Sequence, residues 1–388
     1  MVSIAIGLVA GALLLRPVFR SDLARAPRGE GRDIVTRTSV IIPARNEAQR
    51  LPALLTSLGL QTVAPYEIIV VNHQSEDETA EVARSHGVRV IDAPDRPPGW
   101  LGKPWALHVG SLAASSDYLL FLDADVTLLP DALERLAGVL AGAPEPGHAT
   151  PPDAPHPRPA ERVVSVQPYH RTQRAYERLA LFFNVQVFAG AARRARGVEL
   201  RLDGTCCFGP CILCGRDAYE RIGGHATVSD CVLEDIELGR RFQEAGVQVS
   251  GYAGRGVIEF RMYSEGLGAL LNGFTKNLLL GARRANAWFF FLDVFWVSAL
   301  TAAPAFVGLA AVAGLWPELA VAAGLYAAMA AQVYVAGRRL GRFGPASGLF
   351  YPAALLVFLL VVARVAVLAV AHRDVTWKGR PVSPRAGM

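Results

Sequence analysis

Three long apolar blocks in the last quarter of the chain constrain its fold more than any other feature. They cover roughly residues 288–315, 318–336 and 347–371. Each block approaches or exceeds the ~20 residues that an α-helix needs to cross a bilayer. We therefore expect a C-terminal membrane region, residues 288–371, with about three hydrophobic helices. This region accounts for much of the 52% apolar content of the chain.

The remaining chain divides into three further parts. Residues 2–15 carry no charge and predict an N-terminal membrane segment within residues 1–20, although this block is short for a span. Residues 36–285 have ordinary globular composition and are expected to form one cytoplasmic domain. Within that domain, the Pro-rich residues 142–160 predict a flexible surface loop. A basic tail, residues 372–388, ends the chain.

The arginines indicate which side of the membrane the globular domain occupies. Six of them follow the first apolar block: Arg16, Arg20, Arg25, Arg28, Arg32 and Arg37. Positive charge collects on the cytoplasmic side, so we expect a multi-pass protein of the cell membrane with a cytoplasmic globular domain. Basic residues flank the last apolar block on both sides, and Arg364 lies inside it, which leaves the side of the tail open. Nothing in the globular part indicates nucleic-acid binding.

Apolar strands alternate with helical patterns through the globular part. Continuous apolar runs predict strands near residues 39–42, 66–72, 88–93, 118–122 and 162–168. Helical spacing follows most of these strands. Strands that are apolar throughout and alternate with helices indicate a doubly wound, mostly parallel α/β sheet with flanking helices. Ligands bind such sheets beyond the carboxyl ends of the strands.

Two aspartates end a predicted buried strand in YLLFLDADVTLLP, residues 118–130. Carboxylates this close repel each other, and neither can be buried without a partner. At a strand end, Asp123 and Asp125 could both ligate one Mg²⁺ or Mn²⁺ ion, which prefers carboxylate oxygens and shares its shell with substrate phosphates. A solvated turn, capped by Asp123, explains the same two residues equally well.

A second acidic pair begins the helix predicted for VLEDIELGRRFQEAG, residues 232–246. Glu234 and Asp235 stand where the helix dipole favours negative charge, and capping alone explains one of them. A carboxylate held next to a turn and facing a cleft could also act as a general base toward an acceptor hydroxyl. Both interpretations stay open at this point.

A lysine leads into another predicted helix. Lys103 follows Gly102 in GWLGKPWA, residues 99–106. A cation at the start of a helix is a candidate phosphate contact. A single exposed lysine is the alternative.

Five cysteines raise the question of a metal site. Four of them lie in CCFGPCILC, residues 206–214, and the fifth is Cys231. The C-x₂-C spacing of Cys211 and Cys214 permits zinc, but the apolar surroundings favour buried free thiols. Disulfides are not expected in a reducing compartment.

Taken together and in this order, the motifs resemble those of the family 2 glycosyltransferases, inverting enzymes with the GT-A fold. The resemblance covers about residues 37–281 and includes SVIIPARNE at residues 39–47. It implies that Pro43, Asn46 and Glu47 border the nucleotide-sugar site. It also implies that Asp123 and Asp125 hold Mg²⁺ or Mn²⁺ on a sugar diphosphate, Asp123 bordering the donor as well, and that Asp235 is the catalytic base.

The sequence departs from the family pattern in two places. The turn after the second strand is NHQSED, so Asn72 and His73 stand where the family usually has aspartates, while Asp77 matches the last one. We keep Asn72 and Asp77 as candidate nucleotide contacts. The QxxRW motif of processive members is missing. EFRMYSEG, residues 259–266, stands near its place.

Three residues are candidates for the acceptor side of the site. They are Glu234, Arg261 and Tyr263. For Arg261 and Tyr263, a salt bridge at a strand end and a packed tyrosine are the better-supported alternatives. Within the family, GWLGKPWA, FRMY and WKGR look most like the membrane glycosyltransferases of carotenoid and hopanoid pathways. This implies transfer of a sugar, with UDP-glucose as the first candidate donor, to a lipid acceptor such as a carotenoid.

Two other functions are consistent with parts of the sequence. A processive polysaccharide synthase would share the fold and the metal site, but the missing QxxRW motif counts against it. A non-catalytic membrane protein with a glycosyltransferase-like domain would explain the apolar blocks, but it gives no reason for the DAD and ED pairs. The enzyme interpretation accounts for more of the residues.

Overall fold

The structure is a computed structural model, and it describes residues 1–27, 29–142, 159–191, 193–195, 199–201, 207–281, 287–371, 375–377 and 380–382. Most of the predicted flexible loop, residues 142–160, and most of the basic tail lie outside these residues. The chain forms two compact units. The sheet unit contains Ser21–Tyr169 and Asp203–Arg261, and the helical unit contains Met1–Arg20, His170–Leu202 and Met262–Arg385.

Five of the strands follow continuous apolar runs of the sequence. In chain order they are β1 Thr38–Ala44, β2 Glu67–Asn72, β3 Arg89–Asp92, β4 Tyr118–Leu122, β5 Val126–Leu128, β6 Arg162–Gln167, β7 Tyr169–His170, β8 Arg193–Ala195, β9 Glu199–Arg201, β10 Cys211–Gly215, β11 Gln248–Ala253, β12 Ile258–Phe260, β13 Val375–Trp377 and β14 Arg380–Val382. All five predicted strands are present, as β1, β2, β3, β4 and β6.

The helices predicted between the first strands and in residues 232–246 are present, together with others that were not predicted. In chain order they are α1 Val2–Leu14, α2 Arg16–Arg20, α3 Arg32–Val35, α4 Leu51–Gly59, α5 Thr79–Ser85, α6 Gly102–Ala113, α7 Ala132–Ala141, α8 Leu181–Gly190, α9 Arg216–Arg221, α10 Glu234–Glu244, α11 Leu267–Gly281, α12 Ala287–Val312, α13 Trp316–Leu340, α14 Pro345–Leu349 and α15 Tyr351–Val370. Short 3₁₀ turns cover Leu23–Arg25, Pro159–Glu161, Ala175–Ala180 and Gly224–Val228.

The sheet unit is built on a seven-stranded sheet with the order β11-β6-β10-β4-β1-β2-β3. Its neighbours pair in parallel except at β10, which is antiparallel to both β4 and β6. The prediction of a mostly parallel α/β sheet is confirmed. β10 was not predicted, because its sequence CILCG was considered only as a cysteine cluster.

Side chains from the sheet and its flanking helices form one apolar core. Ile41 and Phe121 of the central strands pack with Leu107 of α6 and with Leu238 and Phe242 of α10, and all five are at least 97% buried. The continuous apolar strands β1 and β4 are buried because helices cover the sheet, as expected for parallel strands. This core holds the starts of α6 and α10 near the carboxyl ends of the central strands.

Three helices of the helical unit are long and apolar enough to cross a membrane: Trp288–Val312, Trp316–Leu340 and Tyr351–Val370. α1 is apolar but only 13 residues long. Its length is about 20 Å at ~1.5 Å per residue, against the ~30 Å of a bilayer core. An N-terminal span therefore stays a prediction.

α1 runs antiparallel along α12 at very close range. A Cβ atom on Gly7 would lie 2.1 Å from Ala299 Cβ, and one on Gly11 would lie 2.3 Å from the Trp296 ring. Larger side chains could not be placed at these two positions without separating the helices. Since Gly11 meets the earlier residue of α12, α1 ends near the start of α12.

The helical unit includes part of the chain within residues 36–285, and the domain limits predicted for that range stay a prediction. Residues 170–202 and the helix α11 group with the apolar helices. The cause is α8, LFFNVQVFAG, which is apolar around most of its circumference and contacts α13 and α15. A helix of that kind is stable only when it is covered on several sides.

Candidate active site

The DAD motif forms the turn between β4 and β5, at the edge of the sheet where a ligand is expected. Asp123 follows the last residue of β4, and Asp125 precedes the first residue of β5. The backbone N–H of Asp123 donates to the Pro210 carbonyl oxygen at 3.1 Å. This bond ties the turn to the loop that leads into the antiparallel strand β10.

Lys103 joins the two acidic pairs. Its ammonium nitrogen lies 2.8 Å from Asp123 Oδ1 and 3.0 Å from Glu234 Oε1. Burial lowers the pKa of Lys103, but the carboxylates of Asp123, Glu234 and Asp235 outweigh burial and raise it well above its usual value. Lys103 is therefore charged at any physiological pH, and it connects residues that are more than 100 positions apart in the chain.

Asp235 lies in the first turn of α10 and is held by a backbone donor. The N–H of Gly209 donates to Asp235 Oδ2 at 2.8 Å. A Cβ atom on Gly209 would lie 3.0 Å from the same oxygen, so a larger residue would crowd this contact. Burial and the neighbouring Glu234 raise the pKa of Asp235 to about 6. A carboxylate with that pKa is mostly ionised at neutral pH and has the basicity of a general base.

The residues at the DAD turn fit a hard divalent cation. Burial and the nearby Asp123 raise the pKa of Asp125 to about 7, although Arg50 opposes the shift. Burial is the larger cause of this shift and the Asp123 carboxylate the smaller one, and a bound divalent cation would favour the ionised form of Asp125. Among the described residues, no group of three or more His, Cys, Asp or Glu side chains could hold a metal. Two carboxylates therefore match a Mg²⁺ or Mn²⁺ ion whose remaining ligands come from water and substrate.

Two predicted nucleotide contacts connect neighbouring turns. Asn46 has a left-handed backbone with φ of 56°; its side chain accepts from the Glu76 N–H at 2.8 Å, and its own N–H donates to Ser75 Oγ at 3.1 Å. Asp77 accepts from the Ala48 N–H at 3.2 Å. These bonds fix the turn after β1 against the turn after β2, and a nucleotide contact by either residue stays a prediction.

The direction of the pKa shift of Asp77 agrees with this structural position. Burial raises the pKa of Asp77, but hydrogen bonds from Thr79 and Ala48 outweigh burial and lower it. Its carboxylate therefore stays ionised and keeps both turns in place.

The other predicted donor-side residues are close to this edge of the sheet. Pro43 lies in β1 beside Val71 of β2. Asn72 donates to Asp92 at 2.7 Å, and its side-chain oxygen is buried without a hydrogen-bond partner among the described residues. That oxygen could accept a hydrogen bond from a ligand. Glu47 forms an ion pair with Arg50 at 3.0 Å.

The predicted acceptor residues fall in different parts of the structure. Glu234 is in the site through Lys103. Arg261 directly follows β12, whose Phe260 pairs with Val126 beside the DAD turn. Tyr263 belongs to the helical unit, where its carbonyl oxygen accepts from the Tyr176 hydroxyl at 2.8 Å. The Tyr263 ring packs on Phe274 with a centroid distance of 5.1 Å, as expected for a structural tyrosine.

Cys211 and Cys214 do not share the zinc site that their spacing permits. Cys211 and Cys214 lie in β10, and side chains three positions apart in a strand point to opposite faces. Both are buried, and burial raises the pKa of the Cys214 thiol to about 12. Cys206 lies outside the described residues.

Sequence reasoning missed the loop before β10, which contributes to both acidic groups. Gly209 binds Asp235, and Pro210 binds the backbone of Asp123. The buried Ser165 hydroxyl of β6 accepts from the Phe208 N–H at 2.6 Å and holds this loop. No local pattern in CCFGPCILC signals these long-range bonds.

Comparison with known proteins identifies the family. A family model described as glycosyl transferase family 2 matches residues 39–223. A 4,4'-diaponeurosporenoate glycosyltransferase from Staphylococcus aureus (strain USA300) is 32% identical over 354 residues, covering 89% of this chain and 88% of that protein. The chain belongs to glycosyl transferase family 2. The predicted resemblance is therefore confirmed, and the protein is a transferase.

Further matches agree with this family 2 glycosyltransferase assignment. The protein of the same name from Staphylococcus haemolyticus (strain JCSC1435) is 31% identical over 303 residues, 76% of this chain and 74% of that protein. A mannosyltransferase from Pyrobaculum calidifontis, solved in complex with GDP-Man and Mn²⁺, has a TM-score of 0.50 and 18% identity. It covers 95% of this chain and 99% of that chain. At this identity the likeness shows the fold, which is GT-A.

Proposed function

We propose that this family 2 glycosyltransferase moves a sugar from a nucleotide-diphosphate sugar to a lipid acceptor, such as a carotenoid or another isoprenoid. UDP-glucose is the first candidate donor. The named relatives support a carotenoid-type acceptor. The three long apolar helices support a site of action at the cell membrane. The arginines after the first apolar block support a cytoplasmic catalytic domain.

One observation carries the proposal: a single lysine connects the DAD turn with the ED pair. Lys103 contacts Asp123 at 2.8 Å and Glu234 at 3.0 Å, and Asp235 is next to Glu234. Donor-binding and acceptor-activating groups must lie on opposite sides of one anomeric carbon for a single displacement. The short path from Asp123 through Lys103 to Glu234 is consistent with that arrangement.

Asp235 would remove the proton from the acceptor. With a pKa of about 6, it is ionised at neutral pH and can accept a proton from a hydroxyl or carboxyl group. The acceptor oxygen forms a bond to the anomeric carbon while the bond from that carbon to the diphosphate breaks, which inverts the configuration. A divalent cation held by Asp123 and Asp125 supplies positive charge to the diphosphate when it is bound. Lys103 adds a permanent positive charge next to Asp123.

Nucleotide release by the detergent-solubilised full chain tests the proposal. UDP formation from UDP-glucose is measured with Mn²⁺ or Mg²⁺, with and without a carotenoid-containing lipid extract. Asp125→Asn and Asp235→Asn keep the size of each side chain and remove its charge. Asp217→Asn, at the exposed start of α9, is the matched control.

We expect extract-dependent UDP release in the native protein and in Asp217→Asn, and at least a hundredfold loss in both site variants. A glycosylated lipid should appear in the extract. UDP release that is the same with and without the extract would argue against a lipid acceptor. Full activity of Asp235→Asn would remove Asp235 from the base role. Activity only with another nucleotide sugar would identify that compound as the donor in place of UDP-glucose.

A further inference from the structure

The hairpin of α12 and α13 gives the helical unit two distinguishable ends. These helices are consecutive and antiparallel, and the Trp296 ring N–H donates to the Gln332 side chain at 2.8 Å. The start of α12 and the end of α13 therefore lie at the same end of the unit. α13 ends at Leu340 beside Arg338 and Arg339, so we call this the arginine end. α1 also ends here, because it runs antiparallel to α12.

After α13 the chain turns back along the helix that it has just left. α14 packs so closely on α13 that a Cβ atom on Gly348 would lie 2.5 Å from Tyr334 Cβ. The Tyr326 hydroxyl donates to the Leu349 carbonyl oxygen, at the end of α14. Tyr326 is about 20 Å along α13 from Leu340, at ~1.5 Å per residue. α14 therefore ends about 20 Å from the arginine end, measured along α13.

α15 begins at the same depth. The Tyr351 hydroxyl donates to the Leu300 carbonyl oxygen at 2.9 Å, and the Tyr351 ring stacks on Tyr326 with a centroid distance of 5.3 Å. Leu300 lies about 20 Å from the start of α12 by the same rise per residue. α12 is 26 residues long, about 39 Å. The first residue of α15 thus lies about halfway along the bundle.

From this midpoint, α15 runs toward the arginine end. Phe358 packs on Phe182 with a centroid distance of 6.2 Å, and Phe182 packs on Trp296 at 5.9 Å. Trp296 is closer to the start of α12 than Leu300, which Tyr351 contacts. α15 also contacts α8 and α11. Its path therefore returns to the end from which α14 entered.

The position of Arg364 agrees with this path. Arg364 is exposed and lies about 20 Å from Tyr351 along α15 at ~1.5 Å per residue, a distance equal to the depth of Tyr351. The guanidinium is thereby brought back to the level of Arg338. In a helix that started at the surface and crossed the bilayer, the same arginine would lie deep in hydrocarbon, where a charge is costly.

We propose that α14 and α15 form a re-entrant hairpin, which enters the bilayer from the arginine end and returns to it, while only α12 and α13 cross among these four helices. The hydroxyls of Tyr326 and Tyr351 donate hydrogen bonds to backbone carbonyl oxygens, which lipid cannot do. The end of α15 then lies on the same side of the bilayer as the ends of α1 and α13, and the chain continues from α1 through α2 to Ser21. By length and composition alone, α15 would be classed as a spanning helix. Its contacts instead place its first residue about halfway along the bundle.

Tag accessibility in sealed membrane vesicles tests the topology on the full chain. One epitope tag follows Met388, a second is inserted at Gly314 between α12 and α13, and an antibody against the sheet unit serves as the third probe. Protease is added to inside-out and to right-side-out vesicles. Each tagged protein must elute as a single species in detergent, as the untagged chain does.

We expect the tail tag and the sheet unit to be digested in the same vesicles, and the Gly314 tag to be digested only in the opposite preparation. A tail tag that shares the protection of the Gly314 tag would overturn the proposal, because α15 would then cross the bilayer. Digestion of all three probes from one side would overturn it as well, because α12 and α13 would not cross.

Discussion

Replacement of Gly209 by alanine tests how Asp235, the proposed catalytic base, is positioned. The new methyl group would lie 3.0 Å from Asp235 Oδ2 and 3.3 Å from Lys103 Nζ, which is tighter than most such contacts. We therefore expect the Asp235 carboxylate to shift slightly and its bond from the Gly209 N–H to weaken. A hydrogen bond to a charged group contributes about 1.5–3 kcal/mol. Since ~1.4 kcal/mol is a factor of ten in rate, we expect kcat/KM to fall about 10- to 100-fold.

The pH dependence gives this prediction a direction. The Gly209 N–H helps to lower the pKa of Asp235, which burial raises to about 6. In Gly209→Ala the pKa of Asp235 should rise further, so activity on the acidic limb should be lost at a higher pH. The loss should be larger at pH 6 than at pH 8.

A second glycine in the sheet unit supplies the control. Gly59 has open space where a Cβ atom would lie, so Gly59→Ala should keep native activity at both pH values. Thermal unfolding should be similar for the two variants. If Gly209→Ala kept activity within twofold of the native protein, or lost it equally at all pH values, Asp235 would not depend on this loop as described.

Three further predictions concern the same unit. Lys103→Met leaves Glu234, a mostly buried carboxylate, without its ammonium partner. The free energy of unfolding, measured by chemical denaturation, should therefore fall by about 1–3 kcal/mol. Lys103→Arg should lose less. Burial lowers the pKa of His225 to about 3, below the ~6.5 of an unfolded chain, so stability should be constant above pH 6.5 and fall below it. In thermal melts, the difference in stability between the native protein and His225→Gln should become smaller as the pH falls below about 6.5. Chelation should abolish UDP release, and Mn²⁺ should restore it in the native protein but not in Asp125→Asn.

The sequence predicted most of the sheet because its strands are buried on both faces. Runs such as the one before Asp123 are apolar at every position, and that pattern has few other interpretations. The strand at Cys211 was missed because the spacing of its cysteines suggested a local site instead of a central antiparallel strand. Its pairing with β4 and β6 depends on residues far away in the chain.

The site was predicted as a set of residue types but not as a geometry. The DAD and ED motifs were recognisable, whereas the contact of Lys103 with both depends on folding that places three distant segments at one edge. Asn46 and Asp77 were expected to face a nucleotide, and the structure shows them bonded to neighbouring turns. A short polar side chain can serve either purpose, and only its surroundings distinguish the two.

The helical unit shows a different limit of sequence reasoning. Hydropathy measures whether a helix is apolar and long enough, and α15 satisfies both conditions. It cannot measure where along the bundle a helix begins. That depth follows from specific contacts, such as the one between Tyr351 and Leu300.

The loop from Phe208 to Pro210 has a consequence for how enzymes of this kind can change. It reaches the donor-side acid and the proposed base through main-chain atoms, and one buried serine hydroxyl, that of Ser165, holds it in place. The main chain of this loop therefore links Asp123 to Asp235 without any side chain of its own. Side chains around the loop can change while this backbone link between the two acidic residues stays the same.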